Sequence, residues 1–243
     1  MADHKGKLPT QAAQADVQAF LAKVAAMPRV VAAGARGRLI FALDATASRE
    51  PTWDQASRIQ GEMFAETAGL GGLEVQLAYY GGFAGFDATP WHANAADLLA
   101  AMSRVRCEGG QTQIARVLGH ARDEARRRKV NALVFVGDCM EEDVDALCRL
   151  AGELGLLGVP VFMFHEGDDG AAETAFREVA RLTRGAYCRF DVGSARQLRE
   201  LLAAVAIFAA GGRKALADHG RARGGAALLL TRQLGSNEAM DSR

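Results

Sequence analysis

The chain lacks any long apolar run: nothing in its 243 residues approaches the roughly 18 continuous apolar residues that a membrane helix needs. The opening stretch from Met1 to Gln18 has no hydrophobic segment behind its early lysines, so no export signal is read there. Cysteine is sparse. Cys107, Cys139, Cys148 and Cys188 form no C-x-x-C pair, which excludes a zinc ribbon and a disulfide framework and points to reduced thiols in a cytoplasmic protein. Cys139, beside Asp138, reads as a small apolar residue at a strand end. Net charge is missing as well. Twenty-nine basic residues balance 29 acidic ones, so no overall field draws nucleic acid or an anionic membrane, and specific binding must come from a local site. A 49% hydrophobic and 24% charged composition excludes a disordered chain. The length favours one large domain with extensions.

Periodicity supplies the elements. Thr10 to Met27 has apolar residues at helical intervals and reads as an arm, ended by Pro28. RLIFAL from Arg38 to Leu43 is a short, nearly continuous apolar run, as expected of a central strand covered on both faces. A helix is predicted over Thr52 to Ala68. The strand Leu73 to Tyr80 follows, then a Gly81-Gly82 turn and a hairpin partner from Phe83. Helices at Ala95 to Val105 and Ile114 to Lys129 precede the strand Ala132 to Gly137. The helix Val144 to Leu154 precedes the strand Val159 to Phe164, and the helix Ala171 to Thr183 precedes the strand Ala186 to Phe190. A helix from Ala195 to Ala209 closes the series.

This alternation predicts an α/β fold: a doubly wound, mostly parallel six-stranded sheet with one antiparallel edge strand and helices on both faces. The expected division is an arm at 1–36, the domain at 37–210, and a basic and apolar extension at 211–243. That extension carries Lys214, Arg221, Arg223 and Arg232 around the run Ala226 to Leu230, read as an arm folded on the domain.

In open α/β sheets, sites form at the carboxyl ends of strands. There the first strand presents Asp44-Ala45-Thr46-Ala47-Ser48, a carboxylate and two hydroxyls at alternate positions. The loop Gly109-Gly110-Gln111-Thr112 enters a helix with a third hydroxyl, and Gly137-Asp138 ends a later strand with a second carboxylate. The glycines before Thr112 suit a loop that approaches an ion closely.

These residues resemble the von Willebrand factor A (VWA) family, whose metal-ion-dependent adhesion site is D-x-S-x-S, a loop threonine and an aspartate after a later strand. The resemblance spans Arg38 to Ala209 by order of elements. It implies a VWA or Rossmann-like sheet with a metal site made by Asp44, Thr46, Ser48, Thr112 and Asp138. Thr46 replaces the usual serine and keeps its hydroxyl oxygen; Gly137-Asp138-Cys139 departs from the frequent T-D-G. Mg²⁺ is the ion such oxygen donors suit, with Mn²⁺ or Ca²⁺ as alternatives. The function implied is an intracellular protein-binding module, not an enzyme, whose ion recruits an acidic side chain of a protein partner, with no nucleic-acid or membrane partner.

The competing reading of the same residues is helix capping by Asp44, Thr46, Ser48 and Thr112, with Asp138 opening a turn. FALDATAS also resembles the start of a haloacid dehalogenase phosphatase, but that chemistry wants D-x-D, and Thr46 stands where the acid belongs. No G-x-S-x-G elbow is present. An interaction domain with an unoccupied site is the third alternative. His165, Glu166, Asp168 and Asp169 are candidates for the rim of the site, against the plainer reading of a solvated helix start, which also covers Glu141, Glu142 and Asp143. The basic helix end at Arg122 and 126–129 reads as favourable pairing with the helix dipole, and His92 and His120 as isolated residues.

Overall fold

The structure is a computed structural model that describes residues 15–20, 23, 36–82, 85–192 and 194–223. In chain order it contains β1 (Gly37–Asp44), α1 (Glu50–Thr67), β2 (Leu73–Gly81), β3 (Gly85–Ala88), α2 (Ala95–Met102), α3 (Ile114–Arg127), β4 (Ala132–Gly137), α4 (Val144–Leu156), β5 (Val161–Glu166), α5 (Gly170–Leu182), β6 (Ala186–Phe190) and α6 (Ala195–Arg223). The strands form one sheet in the order β3-β2-β1-β4-β5-β6. Every pairing is parallel except β2 with β3, which makes β3 the antiparallel edge. The doubly wound, mostly parallel six-stranded sheet expected from the sequence is the one observed.

The two-residue period of the strands divides the core into two layers. Leu39, Phe41, Leu43, Val134, Val136, Phe162 and Phe164 face the layer built with α1, α2 and α6. Ile40, Ala42, Leu133, Phe135, Val161 and Met163 face α3, α4 and α5. Both faces are therefore covered, which is why these strands read as continuous apolar runs.

The N-terminal residues 15–20 are helical and join the first layer. Phe20 is 1% exposed and meets Phe162 and Phe164 edge-on, with ring centroids 5.9 and 5.1 Å away. Burying such a side chain contributes about 1.5–3 kcal/mol, so this helix is part of the core.

Several boundaries move for physical reasons. Pro160 has no N–H to give to a ladder, so β5 begins at Val161, two residues later than expected. It also continues to Glu166, placing His165 and Glu166 inside the strand. The α2 helix ends at Met102, short of Val105. The last helix does not stop at Ala209; it runs to Arg223 with a kink at Gly212, whose φ of 69° a glycine tolerates. The basic and apolar stretch beyond residue 223, including Ala226 to Leu230 and Arg232, lies outside the described residues. Among the described residues, no helix is long and apolar enough to cross a membrane.

Candidate metal centre

Strands β1 and β4 are parallel neighbours, with Leu43 in register with Val136, so their carboxyl ends bring Asp44 and Asp138 together. Gly137 lies just before Asp138, and a Cβ there would meet the Phe135 ring at 2.8 Å, so the ring would have to shift. Asp44 is 2% exposed. Its Oδ1 accepts the Thr46 N–H at 2.7 Å and its Oδ2 accepts the Tyr80 hydroxyl at 3.1 Å. The Thr46 and Ser48 hydroxyls are 3.3 Å apart, and Ser48 donates to Asp138 Oδ2 at 3.2 Å. Four of the five expected residues thus form one contiguous cluster.

Cys139 joins them. Its Sγ and one carboxylate oxygen from each of Asp44 and Asp138 lie within 4.8 Å of one another. One oxygen of Asp138, Oδ1, is buried and has no hydrogen-bond partner. Burial raises the Asp44 pKa against the bonds from Thr46, and the charge of Asp138 adds to the rise. Burial also pushes the Cys139 thiol up to about 12, with Asp138 contributing. The place is therefore short of positive charge on its inner side.

The outer side has a cation of its own. Arg49, 5% exposed, reaches Asp138 Oδ2 with Nη1 at 3.0 Å, while its Nη2 pairs with Glu166, which is 2% exposed. The Thr52 hydroxyl also donates to Glu166. Sequence reasoning missed this pair. Arg49 directly follows the D-x-T-x-S stretch, but nothing local marks a partner 117 residues later.

Thr112 is held differently from the others. Its hydroxyl accepts the Glu141 N–H at 3.1 Å, and its own N–H donates to Glu141 Oε2 at 3.2 Å. One lone pair of that hydroxyl stays available. The capping alternative fails for its side chain, because the Glu142 carboxylate caps α3, accepting from the Ile114 and Ala115 N–H groups, the latter at 2.9 Å. Thr46 likewise precedes the turn Ala47–Arg49 without a side-chain cap bond. Gly110 packs closely on the hairpin turn, where a Cβ would overlap the Gly82 carbonyl.

The expected rim residues separate into different tasks. His165 is fully buried beneath the loop, donating from Nε2 to the Asp138 carbonyl at 3.2 Å and accepting from the Tyr187 hydroxyl on Nδ1 at 2.9 Å. Burial lowers its pKa and favours the neutral ring. Asp143 and Asp169 cap α4 and α5 through the Ala146 and Ala172 N–H groups at 2.8 and 2.6 Å. Asp168 lines a cleft of about 400 Å³ with Ser48, Arg49, Asp138, Glu166 and Val192. The basic helix end is answered by carboxylates: Arg122 and Arg126 pair with Glu153, Arg127 with Glu124 and Arg128 with Glu74.

These donors fit a divalent cation. Two converging carboxylates, an unpartnered buried oxygen, and hydroxyls whose lone pairs are not used up present oxygen ligands without a balancing charge among themselves.

No protein-family model matches the chain, and no curated protein matches its sequence. Solved structures match by shape. The VWA domain of SpRpn10 is 14% identical with a TM-score of 0.54, over 69% of this chain and 94% of that one. Proximal thread matrix protein 1 from the mussel byssus, with a zinc-occupied MIDAS motif, is 18% identical with a TM-score of 0.56, over 73% of this chain and 46% of that one. The D319A mutant of the PilB minor pilin from Streptococcus sanguinis is 7% identical with a TM-score of 0.56, over 72% and 62%. The chain spans nearly all of the SpRpn10 domain and less than two thirds of the other two. At these identities the likeness concerns the fold, and the chain carries the fold of a von Willebrand factor A domain.

Proposed function

We propose that the chain is a metal-dependent interaction module: a divalent cation held by Asp44, Thr46, Ser48, Thr112 and Asp138 recruits an acidic side chain of a protein partner. The observation that carries this reading is the convergence of Asp44 and Asp138 beside a buried, unpartnered Asp138 Oδ1. Protonation of one carboxylate and addition of a second cation beside Arg49 are both ways to relieve such a pair. The zinc-occupied MIDAS motif of the mussel protein supports the second for a domain of this shape. Oxygen donors of this kind suit Mg²⁺ or Mn²⁺. When bound, the ion would supply an open coordination position to a carboxylate. The chain's own groups orient its donors: Tyr80 and the Thr46 N–H hold Asp44, and Arg49 and Ser48 hold the far oxygen of Asp138.

Turnover is not part of this reading. Phosphatase chemistry needs a general acid two residues after Asp44, and Thr46 occupies that position. Purified protein is expected to leave phosphomonoesters intact; robust Mg²⁺-dependent hydrolysis abolished by Asp44→Asn would overturn the proposal.

The main test is a melting series with Mg²⁺, Mn²⁺ or chelator. An ion that binds the folded site stabilises it by about 2.7 kcal/mol at about a hundredfold excess over Kd, roughly 5–11 °C for a chain of this size. Asp138→Ala and Thr112→Ala should each remove the response. A response unchanged in both would place any ion elsewhere. Pull-down of an acidic peptide with Mg²⁺ and with chelator then tests the recruiting step.

A further inference from the structure

We infer that Cys139 is a ligand of this centre and that its sulfur turns the preference of the site from magnesium to zinc. The inference rests on the metal-site reading above and adds a donor that the sequence pattern does not contain.

Placement comes first. Among the described residues, Asp44, Asp138 and Cys139 form the group whose ligand atoms converge, all within 4.8 Å. Zinc holds sulfur at about 2.3 Å and carboxylate oxygen at about 2.0–2.2 Å, so tetrahedral ligands sit roughly 3.5 Å apart. The backbone around the thiol is pinned on both sides. The Asp138 carbonyl accepts from His165, and two residues beyond Cys139 the Glu141 N–H donates to Thr112. The other cysteines lie elsewhere: Cys148 on α4, Cys188 buried in β6, and Cys107 packed against the first core layer.

A second observation points independently to a ligand. Asp138 Oδ1 is buried with no hydrogen bond of normal geometry while Oδ2 is engaged by Arg49 and Ser48, so Oδ1 keeps lone pairs that a cation can take.

Chemistry then selects the ion. Mg²⁺ demands near-octahedral oxygen and gains nothing from a thiol. Zn²⁺ accepts mixed sulfur and oxygen ligands and is content with three protein ligands and one open position. Two carboxylates and one thiolate make that set, in place of the Thr46, Ser48 and Thr112 hydroxyls that an octahedral magnesium ion would use. On binding, the S–H bond breaks, a Zn–S bond forms, and the proton leaves to solvent with no change of oxidation state.

The test uses the full chain with Co²⁺ and Zn²⁺ as probes. Co²⁺ should give a thiolate-to-metal charge-transfer band in the near ultraviolet, lost in Cys139→Ser and in Cys139→Ala and bleached by added Zn²⁺. Titration calorimetry should show Zn²⁺ affinity falling by at least about tenfold in both variants, the scale on which even outer-shell contacts matter, while Mg²⁺ affinity is unchanged. A melt of each variant in chelator checks that it is folded. Bound Co²⁺ without the band, a band that survives both substitutions, or unchanged Zn²⁺ affinity overturns thiol ligation and leaves the carboxylate and hydroxyl site standing. Failure of the wild type to bind any of the three ions overturns both.

Discussion

Replacing Arg49 by methionine tests how the centre is held in the absence of an ion. Arg49 and Glu166 are 5% and 2% exposed, and the guanidinium also reaches Asp138 at 3.0 Å. Methionine fills much of the same volume but removes the charge. Glu166 would then be a buried carboxylate facing the Thr52 hydroxyl, and Asp138 would face Asp44 with no cation between them. Removing one partner of a buried pair costs about 3–5 kcal/mol, because the other charge stays buried. At roughly 2–4 °C per kcal/mol for a chain of this length, the loss is about 6–20 °C in Tm, read by circular dichroism in chelator. Glu166→Gln should cost a similar amount. The double variant should recover part of the loss, since no isolated charge is left behind. An Arg49→Met protein melting within about 2 °C of wild type, or losses that simply add in the double variant, would refute the account.

Three further outcomes are expected. Glu142→Ala should cost about 0.5–2 kcal/mol by uncapping α3, and Thr112→Val, which removes one hydrogen bond, about 1 kcal/mol; chemical denaturation checks each, and a variant as stable as wild type counts against the bond it removes. Gly110→Ala should lower stability and weaken the response to metal, because its Cβ would overlap the Gly82 carbonyl and displace the loop that carries Thr112; an alanine variant with wild-type melting in both conditions counts against that packing. Burial lowers the His120 pKa from its ordinary 6.5, so the folded state binds fewer protons than the unfolded one, and this contribution to stability is lost as pH falls through and below 6.5. The stability difference between wild type and His120→Gln should therefore shrink on acidification, and parallel pH curves would contradict it.

The sheet was legible because its strands are covered on both faces. The runs Ala132 to Gly137 and Ala186 to Phe190 begin and end where β4 and β6 do, each bounded by polar or glycine residues that cannot continue a buried strand. The β5 boundaries were not, since an apolar run beginning at Val159 hides the missing N–H of Pro160, and the polar pair His165-Glu166 masks a strand that continues. At the centre, Asp44, Thr46, Ser48 and Asp138 were legible as a local pattern at two strand ends. The pairing of Arg49 with Glu166 was not, because it depends on a side chain reaching from the turn after β1 past the end of β4 to β5. Cys139 was read as a small apolar residue; its nearness to the Asp44 carboxylate of a neighbouring strand is something no spacing along the chain records. Thr112 was found, but its immediate partner in the 138–143 loop was not.

The reciprocal bonds between Thr112 and Glu141, together with the Glu142 carboxylate on the Ile114 and Ala115 amides, bind two loops that are 27 to 29 residues apart in sequence. They act as a clasp. The segment after β4 cannot move outward without either breaking four N–H···O contacts or dragging the first turn of α3 with it, and α3 packs against α4. The segment that follows Asp138 is thereby tied to a helix pair on one face of the sheet. The mechanical unit of this centre is larger than the residues that line it.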